Sequence, residues 1–267
     1  MKNFGLSGRN ALVTGGARGI GAAISKALAE AGAAVMIGDV LSDLGRETAG
    51  EISKSGGRAS FIPLDVTDEA AWEAAVAGTI SAFGGYDILV NNAGIEVTAL
   101  VSEIDAADLR RMLDVNIVGT SLGIKHAFRS MRPGGAAGKG GAVVNISSVA
   151  ALIAFPAIAG YSATKSGVDR LTRVAAAESG KLGYGVRVNC IYPGLVATDM
   201  GLKLATDVVA LGLWPNVEAA IGDVIGLTPL GRLGDVGDMA DATVFLCSDA
   251  ARFITGTGLP VEGGMGS

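Results

Sequence analysis

Short apolar segments alternate with amphipathic segments along the whole chain. Several apolar segments, among them VMIG at 35–38, DILVN at 87–91 and AVVNIS at 142–147, are strand-length and almost free of polar residues. Such strands are typical of a parallel sheet that is covered by helices on both faces. The predicted strands are 9–14, 34–38, 58–64, 86–91, 142–147, 186–191 and 259–261.

The segments between these strands have helical periodicity. Residues 20–31 place apolar side chains at Ile20, Ala23, Ile24, Ala27 and Leu28, on one face of a helix. Strands joined by helices in right-handed crossovers build a doubly wound α/β sheet. No linker or internal repeat divides the chain, so the expected domain is 1–267. Residues 133–141 are rich in glycine and are predicted to form a loop.

Residues 196–230 interrupt the alternation of strands and helices. This segment is long and mostly apolar, and it contains Trp214, Pro215 and Pro229. A long irregular insertion in a compact domain is often a lid or a binding loop. We therefore expect a helical lid over a substrate site.

Composition and charge narrow the class of protein. A hydrophobic fraction of 49% with 18% charged residues and 41 glycines predicts a folded chain with many turns. The net charge is −5, and no cluster of Lys or Arg is present, so nucleic acid is not an expected partner. The start, MKNFGLSGRNALVTGG, lacks a signal-peptide pattern, and no apolar stretch is long enough to span a bilayer. We expect a cytoplasmic protein without membrane contact.

The residue types that are scarce limit the chemistry. Cys190 and Cys247 stand in apolar contexts that predict buried thiols, and His126 is the single histidine. Histidine-based triads and metal sites are therefore not expected. Any acid or base must come from Tyr, Lys, Asp or Glu.

A glycine-rich loop, TGGARGIG at 14–21, lies between the first strand and the first helix. Such a loop lets the backbone and the helix N-terminus approach a pyrophosphate, although an ordinary glycine-rich turn explains the spacing equally well. Asp39 ends the second strand, where a carboxylate can accept ribose hydroxyls and repel a 2′-phosphate. This favours NAD over NADP. Arg18 is either a phosphate ligand, which would favour NADP, or a solvated charge.

Four further motifs accompany this loop: Asp65-Val66, NNAG at 91–94, YSATK at 161–165 and Pro193-Gly194. Together they resemble the short-chain dehydrogenase/reductase family over essentially the whole chain. The resemblance implies a single Rossmann-type domain with a seven-stranded parallel sheet. It also implies a catalytic set of Asn116, Ser148, Tyr161 and Lys165; the family spacing selects Ser148 rather than Ser147.

Tyr161 and Lys165 are four residues apart and share a helix face. An ammonium group beside a phenol favours the phenolate, so Lys165 is expected to lower the pKa of Tyr161 toward neutrality. Tyr161 would then act as general acid or base, and Ser148 would hold the substrate oxygen. The resemblance further implies that Lys165 binds the nicotinamide ribose and that Asn116 helps to hold a water molecule. Taken singly, each of these residues also has an ordinary structural explanation.

The resemblance assigns the remaining cofactor contacts by position. Asp65 has an alternative role as a cap for a helix starting near Thr67 and Asp68. The full predicted NAD-binding set is Gly15, Arg18, Gly19, Ile20, Gly21, Asp39, Asp65, Val66, Asn92, Gly94, Tyr161, Lys165, Pro193, Gly194, Val196 and Thr198.

The substrate site is expected to be apolar. Its walls are expected to come from residues 149–156, VAALIAFP, and from the lid, which favours an alicyclic or steroid-like secondary alcohol or ketone. Internal packing of the lid or a subunit interface explains these apolar residues equally well. The sequence is similar to bacterial hydroxysteroid and cyclic-alcohol dehydrogenases and to 3-oxoacyl-carrier-protein reductases. Asp39 and the lack of a basic patch argue against the latter. A non-catalytic dinucleotide sensor is a third alternative, disfavoured because Tyr161 and Lys165 are both present.

The resemblance also implies a homotetramer, formed through helices at 105–131 and 162–179.

Overall fold

The computed structural model describes residues 4–266, and in this part of the chain seven parallel strands form one sheet. The order of the strands is β3-β2-β1-β4-β5-β6-β7. This confirms the predicted doubly wound α/β architecture; residues 1–3 and 267 of the predicted domain lie outside the described residues. The strands are β1 Asn10–Thr14, β2 Ala34–Asp39, β3 Arg58–Pro63, β4 Ile88–Asn91, β5 Gly141–Ile146, β6 Val186–Pro193 and β7 Gly258–Val261.

Helices cover both faces of the sheet. They are α1 Gly19–Glu30, α2 Ser42–Lys54, α3 Glu69–Phe83, α4 Ala106–Leu113, α5 Gly119–Met131, α6 Ala159–Lys181, α7 Asp199–Ala210, α8 Val217–Gly226 and α9 Val236–Cys247. Within the described range, no helix combines the length and the apolar character needed to cross a membrane.

Each face of the sheet has its own apolar core. Ile24 and Leu28 of α1 pack with Leu246 of α9 on one face, while Trp72 of α3 and Met131 of α5 are buried on the other. The central strands β1, β2, β4 and β5 are mostly apolar because their side chains enter both cores. Cys190 and Cys247 are free thiols and both are buried, as predicted.

The sheet places its loops where a ligand can bind. β1 pairs with β2 on one side and with β4 on the other, so the winding of the chain reverses between these neighbours. A crevice opens at such a reversal, beyond the carboxyl ends of the strands. The glycine loop after β1, the NNAG motif after β4 and Ser148 after β5 all lie at this edge.

The predicted insertion at 196–230 holds α7 and α8. Leu204 and Val208 of α7 pack with Ala220 of α8 and with Trp214, which lies between the two helices. The indole Nε1 of Trp214 donates a hydrogen bond of 2.7 Å to Asp223 Oδ2. The two helices therefore form one small packed unit, with its own apolar cluster, at the carboxyl edge of the sheet.

Candidate active site

One large cleft lies beyond the carboxyl ends of the strands, between the sheet and the α7–α8 unit. It encloses about 1650 Å³. Glycine-loop and NNAG residues line one part of it, and residues of 148–158, α7 and α8 line the other. The sheet thus brings motifs that are far apart in sequence to a single site.

The glycine loop is held tightly against the NNAG motif. Gly15 has φ +61°, and a Cβ there would lie 2.8 Å from the Cα of Ala93. A Cβ on Gly21 would lie 2.1 Å from the carbonyl oxygen of Gly15. The Nδ2 of Asn92 donates to the carbonyl oxygens of Thr14 (3.0 Å) and Gly15 (2.9 Å). Asn92, a predicted cofactor contact, therefore also fixes the loop.

A Gly21→Ala variant should lose both stability and dinucleotide binding. The added methyl group overlaps backbone that cannot move away, and overpacking of this kind costs about 1–3 kcal/mol. Gly50→Ala in α2 is the control, since open space surrounds Gly50 and alanine is favoured in helices by roughly 0.5–1 kcal/mol. Thermal unfolding and NADH fluorescence titration measure the two effects. Unchanged NADH affinity in Gly21→Ala would show that the close packing of the loop is not needed for binding.

The N-terminus of α1 is open to the cleft. Within the described residues no side chain caps it, since Arg18 at the cap position has only hydrogen-bond donors; its Nη1 pairs with Asp199 Oδ2 at 3.3 Å. Gly19 has φ +55°, and the nearest atom to a Cβ there would be Thr198 Cγ2, 3.8 Å away. The first turn of a helix has N–H groups without partners in the helix and a positive dipole end, which suit a phosphate. Ile20, another predicted contact, also lines the cleft here.

Asp39 is buried at the end of β2 and lines the same part of the cleft. Its Oδ2 accepts from the backbone N–H of Ala17 and its Oδ1 from that of Leu41, each at 3.0 Å. A carboxylate has about four lone-pair positions, so each oxygen can still accept another hydrogen bond. The two backbone contacts fix the orientation of the carboxylate.

Asp65 and Val66 line the cleft after β3, but Asp65 is not a helix cap. Its Oδ1 accepts from the N–H (2.9 Å) and the hydroxyl (2.7 Å) of Thr67. The cap of α3 is Asp68, which accepts from the N–H of Ala70 at 2.9 Å. The alternative role of Asp65 as the cap was wrong, because the chain turns once more before α3 begins.

Pro193 and Gly194 end β6 on the opposite side of the cleft. A Cβ on Gly194 would lie 3.0 Å from the Cα of Glu262, so the backbone passes closely there. Val196 is buried and lines the cleft, as Thr198 does. The hydroxyl of Thr198 also caps α7, accepting from the N–H of Gly201 at 3.3 Å.

Tyr161 and Lys165 lie on the first turns of α6, and both line the cleft with Ser148. The Nζ of Lys165 lies 5.5 Å from the centre of the Tyr161 ring and donates to the carbonyl oxygen of Ile146 at 2.7 Å. The Oγ of Ser148 accepts from the N–H of Ala150 at 3.1 Å, which leaves its proton available for another partner.

The hydroxyl of Ser147 has a different environment. It donates to the carbonyl oxygen of Lys165 at 2.8 Å and is almost completely buried. Its proton is therefore already used inside the protein. This supports the choice of Ser148 over Ser147.

The pKa of Tyr161 differs from the sequence-based expectation. Burial raises it to about 12, a hydrogen bond with Ser148 opposes this rise, and the charge of Glu96 adds to it. Lys165 does not lower the pKa as predicted, because the amine is itself desolvated. Burial lowers the pKa of Lys165 to about 8, so near that pH much of its charge is lost. The spacing of the two residues was right, but it did not reveal their burial.

Asn116 lies in a π-helical turn, Asp114–Val118, between α4 and α5. Its Oδ1 accepts from the N–H of Ile95, and its Nδ2 donates to the Ile95 carbonyl oxygen, both at 2.9 Å. A Cβ on Gly94 would lie 3.3 Å from Asn116 Oδ1 and 3.4 Å from Lys165 Nζ. The absence of a side chain at Gly94 therefore allows Asn116 and Lys165 to approach the same point.

Glu96 is a cleft residue that the sequence did not indicate. It follows the NNAG motif by two positions and has no motif partner of its own. Its charge also raises the pKa of Tyr161, after the larger effect of burial. Only the folded structure reveals this proximity.

Comparison with known proteins agrees with the geometry. The family described as "Enoyl-(Acyl carrier protein) reductase" matches residues 15–266. The trans-4-hydroxycyclohexanecarboxylate dehydrogenase of Sinomonas cyclohexanicum is 38% identical, with 95% of this chain and 91% of that protein covered. The 2,5-dichloro-2,5-cyclohexadiene-1,4-diol dehydrogenase LinX of Sphingobium indicum is 39% identical, with 97% and 96% covered.

A solved structure supports the same assignment. The crystal structure of a short-chain type dehydrogenase/reductase from Mycobacterium marinum superposes with a TM-score of 0.88 at 30% identity, covering 99% of this chain and 98% of that one. The relatives named above are dehydrogenases that match almost end to end. The chain therefore belongs to the short-chain dehydrogenase/reductase family of oxidoreductases.

Proposed function

We propose that this protein is an NAD-dependent dehydrogenase that interconverts alicyclic secondary alcohols and their ketones. The observation that carries the proposal is the position of Ser148 and Tyr161. Both side chains line the cleft, which has the glycine loop at one end and apolar residues at the other. A secondary alcohol placed between them has a proton acceptor at its oxygen and the dinucleotide region beside its carbon.

The proposed chemistry uses few groups. In oxidation, the phenolate of Tyr161 takes the hydroxyl proton of the alcohol, and Ser148 donates a hydrogen bond that stabilises the developing charge on that oxygen. NAD held in the cleft would supply the acceptor for the hydride that leaves the carbinol carbon. In ketone reduction, the neutral hydroxyl of Tyr161 returns a proton to the oxygen.

Lys165 and Asn116 are proposed to support Tyr161. Lys165 Nζ is anchored on the carbonyl oxygen of Ile146, below the ring of Tyr161. Asn116 is anchored on the backbone of Ile95 and on Thr164, whose hydroxyl donates to the carbonyl oxygen of Tyr161 at 2.7 Å. These contacts fix the two side chains in place; the roles of Lys165 in holding the cofactor ribose and of Asn116 in proton exchange through water are proposed from the family resemblance.

Three features of the cleft fit NAD. The uncapped N-terminus of α1 and the tight glycine loop suit the pyrophosphate, and Asp39 suits the two ribose hydroxyls. A 2′-phosphate would be repelled by the negative charge of Asp39. The cations on this side of the cleft are already paired, Arg18 with Asp199 and Lys26 with Glu51.

The apolar part of the cleft supports the substrate class. Its walls include Val149, Ile153, Phe155, Leu204 and Val208, and Trp214 lies beside them. The transfer of an alicyclic ring from water into such a site is favourable by roughly 25 cal/mol per Å² of apolar surface buried. The two dehydrogenase relatives described above act on cyclohexane-type alcohols by their names, which supports the same class here.

A substrate panel tests the proposal. The NADH formed from NAD with cyclohexanol, methylcyclohexanols and a hydroxysteroid, and the NADH consumed with the matching ketones, are followed at 340 nm. We expect turnover with alicyclic compounds. Tight NADH binding without turnover of any compound would favour a sensor, and preferred use of a 3-oxoacyl thioester with NADPH would favour a carrier-protein reductase.

The two directions should differ in their dependence on pH. Since the pKa of Tyr161 is raised to about 12, the phenolate that oxidation requires is a minor form at neutral pH and increases as the pH rises. We expect kcat/KM for alcohol oxidation to increase from pH 6 to pH 9, by at most about tenfold per unit. Ketone reduction needs the neutral phenol, so its kcat/KM should not increase over this range. Oxidation that slows across this range would contradict Tyr161 as the base.

A further inference from the structure

The carboxylate of Glu96 is only half satisfied inside the cleft. Its Oε1 accepts a hydrogen bond of 2.9 Å from the hydroxyl of Thr98. Its Oε2 is shielded from solvent and has no hydrogen-bond partner among residues 4–266. A buried polar atom without a partner is unfavourable and uncommon in native proteins, and for an atom of a cleft residue a bound ligand group is one explanation.

The charged groups around Glu96 are few. Tyr161 faces it from α6, and Lys203 and Asp207 face it from α7. Lys203 pairs with Asp207, one turn further along the same helix, so the cation is already neutralised by a carboxylate. Burial raises the pKa of Glu96, and the hydrogen bond from Thr98 opposes that rise.

The neighbouring walls of the cleft offer few alternatives for a polar group of the substrate. Val149, Ile153, Phe155, Leu204 and Val208 carry no polar side-chain atoms. The hydroxyls of Ser148 and Tyr161 are assigned to the reacting oxygen. Asp199 and Asp223 also line the cleft, but they accept from Arg18 and Trp214, so Glu96 is the carboxylate on this side with an unpartnered oxygen among the described residues.

We propose that Glu96 determines substrate specificity by turning its unpartnered Oε2 into the cleft to accept a hydrogen bond from a second hydroxyl group, so that alicyclic diols and hydroxyketones are the preferred substrates. This inference rests on the proposed function, since it names the substrate class of that same site. Thr98 is the positioning residue that holds the other oxygen of the carboxylate.

The charges around Glu96 favour a hydroxyl over an ionic group. A carboxylate on the substrate would be repelled by Glu96. An ammonium group would have to be desolvated in a cleft whose neighbouring walls are apolar, which is unfavourable. A hydroxyl donates one hydrogen bond and brings no net charge, so it satisfies Oε2 without repulsion and without burial of a second charge.

The test compares kcat/KM for NAD-dependent oxidation of cyclohexane-1,4-diol, cyclohexane-1,3-diol, cyclohexanol and 4-hydroxycyclohexanecarboxylate. For the native enzyme we expect at least one diol to be preferred over cyclohexanol by about 10- to 100-fold, the range for a hydrogen bond to a charged group. Glu96→Leu should reduce this ratio to about one. Glu103→Gln, which removes an equal charge from an exposed position, should leave the ratio unchanged.

Glu96→Gln provides a second test if Glu96→Leu does not fold. It keeps the size of the side chain and removes the charge, so the efficiency with the ring carboxylate should rise at least about tenfold relative to cyclohexanol. A native enzyme that oxidises no alicyclic alcohol would refute the proposed function itself. Equal efficiency with the diols and cyclohexanol, or ratios that are the same in the native enzyme and both variants, would overturn the role of Glu96 alone.

Discussion

Replacing Tyr161 with Phe is expected to lower kcat for both oxidation and reduction by about 10²- to 10⁴-fold, the range for loss of a general acid–base. The phenol of Tyr161 is the group proposed to move the substrate proton, and Phe retains the ring that packs over Lys165. The affinity for NADH should therefore change little. Steady-state kinetics and NADH fluorescence titration measure the two effects separately.

Tyr86→Phe is the matched control. Its phenol is also buried, and its hydroxyl has no hydrogen-bond partner within the described residues, but it lies just before β4 and outside the cleft. Removing that hydroxyl should leave kcat unchanged. A Tyr161→Phe enzyme with more than a tenth of the native kcat would show that another group transfers the proton.

Replacing Asp39 with Ala is expected to lower the ratio of kcat/KM with NAD to kcat/KM with NADP by about 100-fold. The change removes the acceptor for the ribose hydroxyls and the repulsion of a 2′-phosphate, and two unit charges about 4 Å apart near a protein surface interact with about 4 kcal/mol. Kinetics with both cofactors at a fixed alcohol concentration measure the ratio.

Two controls separate this effect from general damage. Asp39→Asn keeps a side-chain acceptor for one of the two backbone N–H groups, of Ala17 and Leu41, that the carboxylate binds. Asp39→Asn should lower the ratio of kcat/KM with NAD to kcat/KM with NADP, and it should lose less thermal stability than Asp39→Ala. Asp43→Ala removes an exposed carboxylate of α2 and should change neither quantity. Native preference for NADP would refute the role given to Asp39.

Much of the fold could be predicted because its signals are local. The apolar strands and their order of appearance follow from hydrophobic pattern, and the ends of the strands differ by a few residues at most. β6, for example, extends through Pro193, since Pro193 pairs in register with Val261 of β7. A strand end that depends on a neighbouring strand is not visible in the local pattern.

The parts of the site that could not be predicted depend on burial. The pKa of Tyr161 is set by desolvation, whereas the sequence showed only its spacing from Lys165. Glu96 belongs to no motif, and the burial of its unpartnered oxygen arises only in the folded chain. The alternative role of Asp65 as a helix cap was wrong, since Asp68 caps α3 and Asp65 binds Thr67 instead.

Hydride transfer is tested most directly with cyclohexanol that carries deuterium on its carbinol carbon. The protein is incubated with this alcohol and NAD, and the reduced cofactor is examined by mass spectrometry and NMR. The account predicts one deuterium at C4 of the nicotinamide ring, formed at a rate that falls by about 10²- to 10⁴-fold in Tyr161→Phe. No reduced cofactor, or reduced cofactor without deuterium, would contradict it.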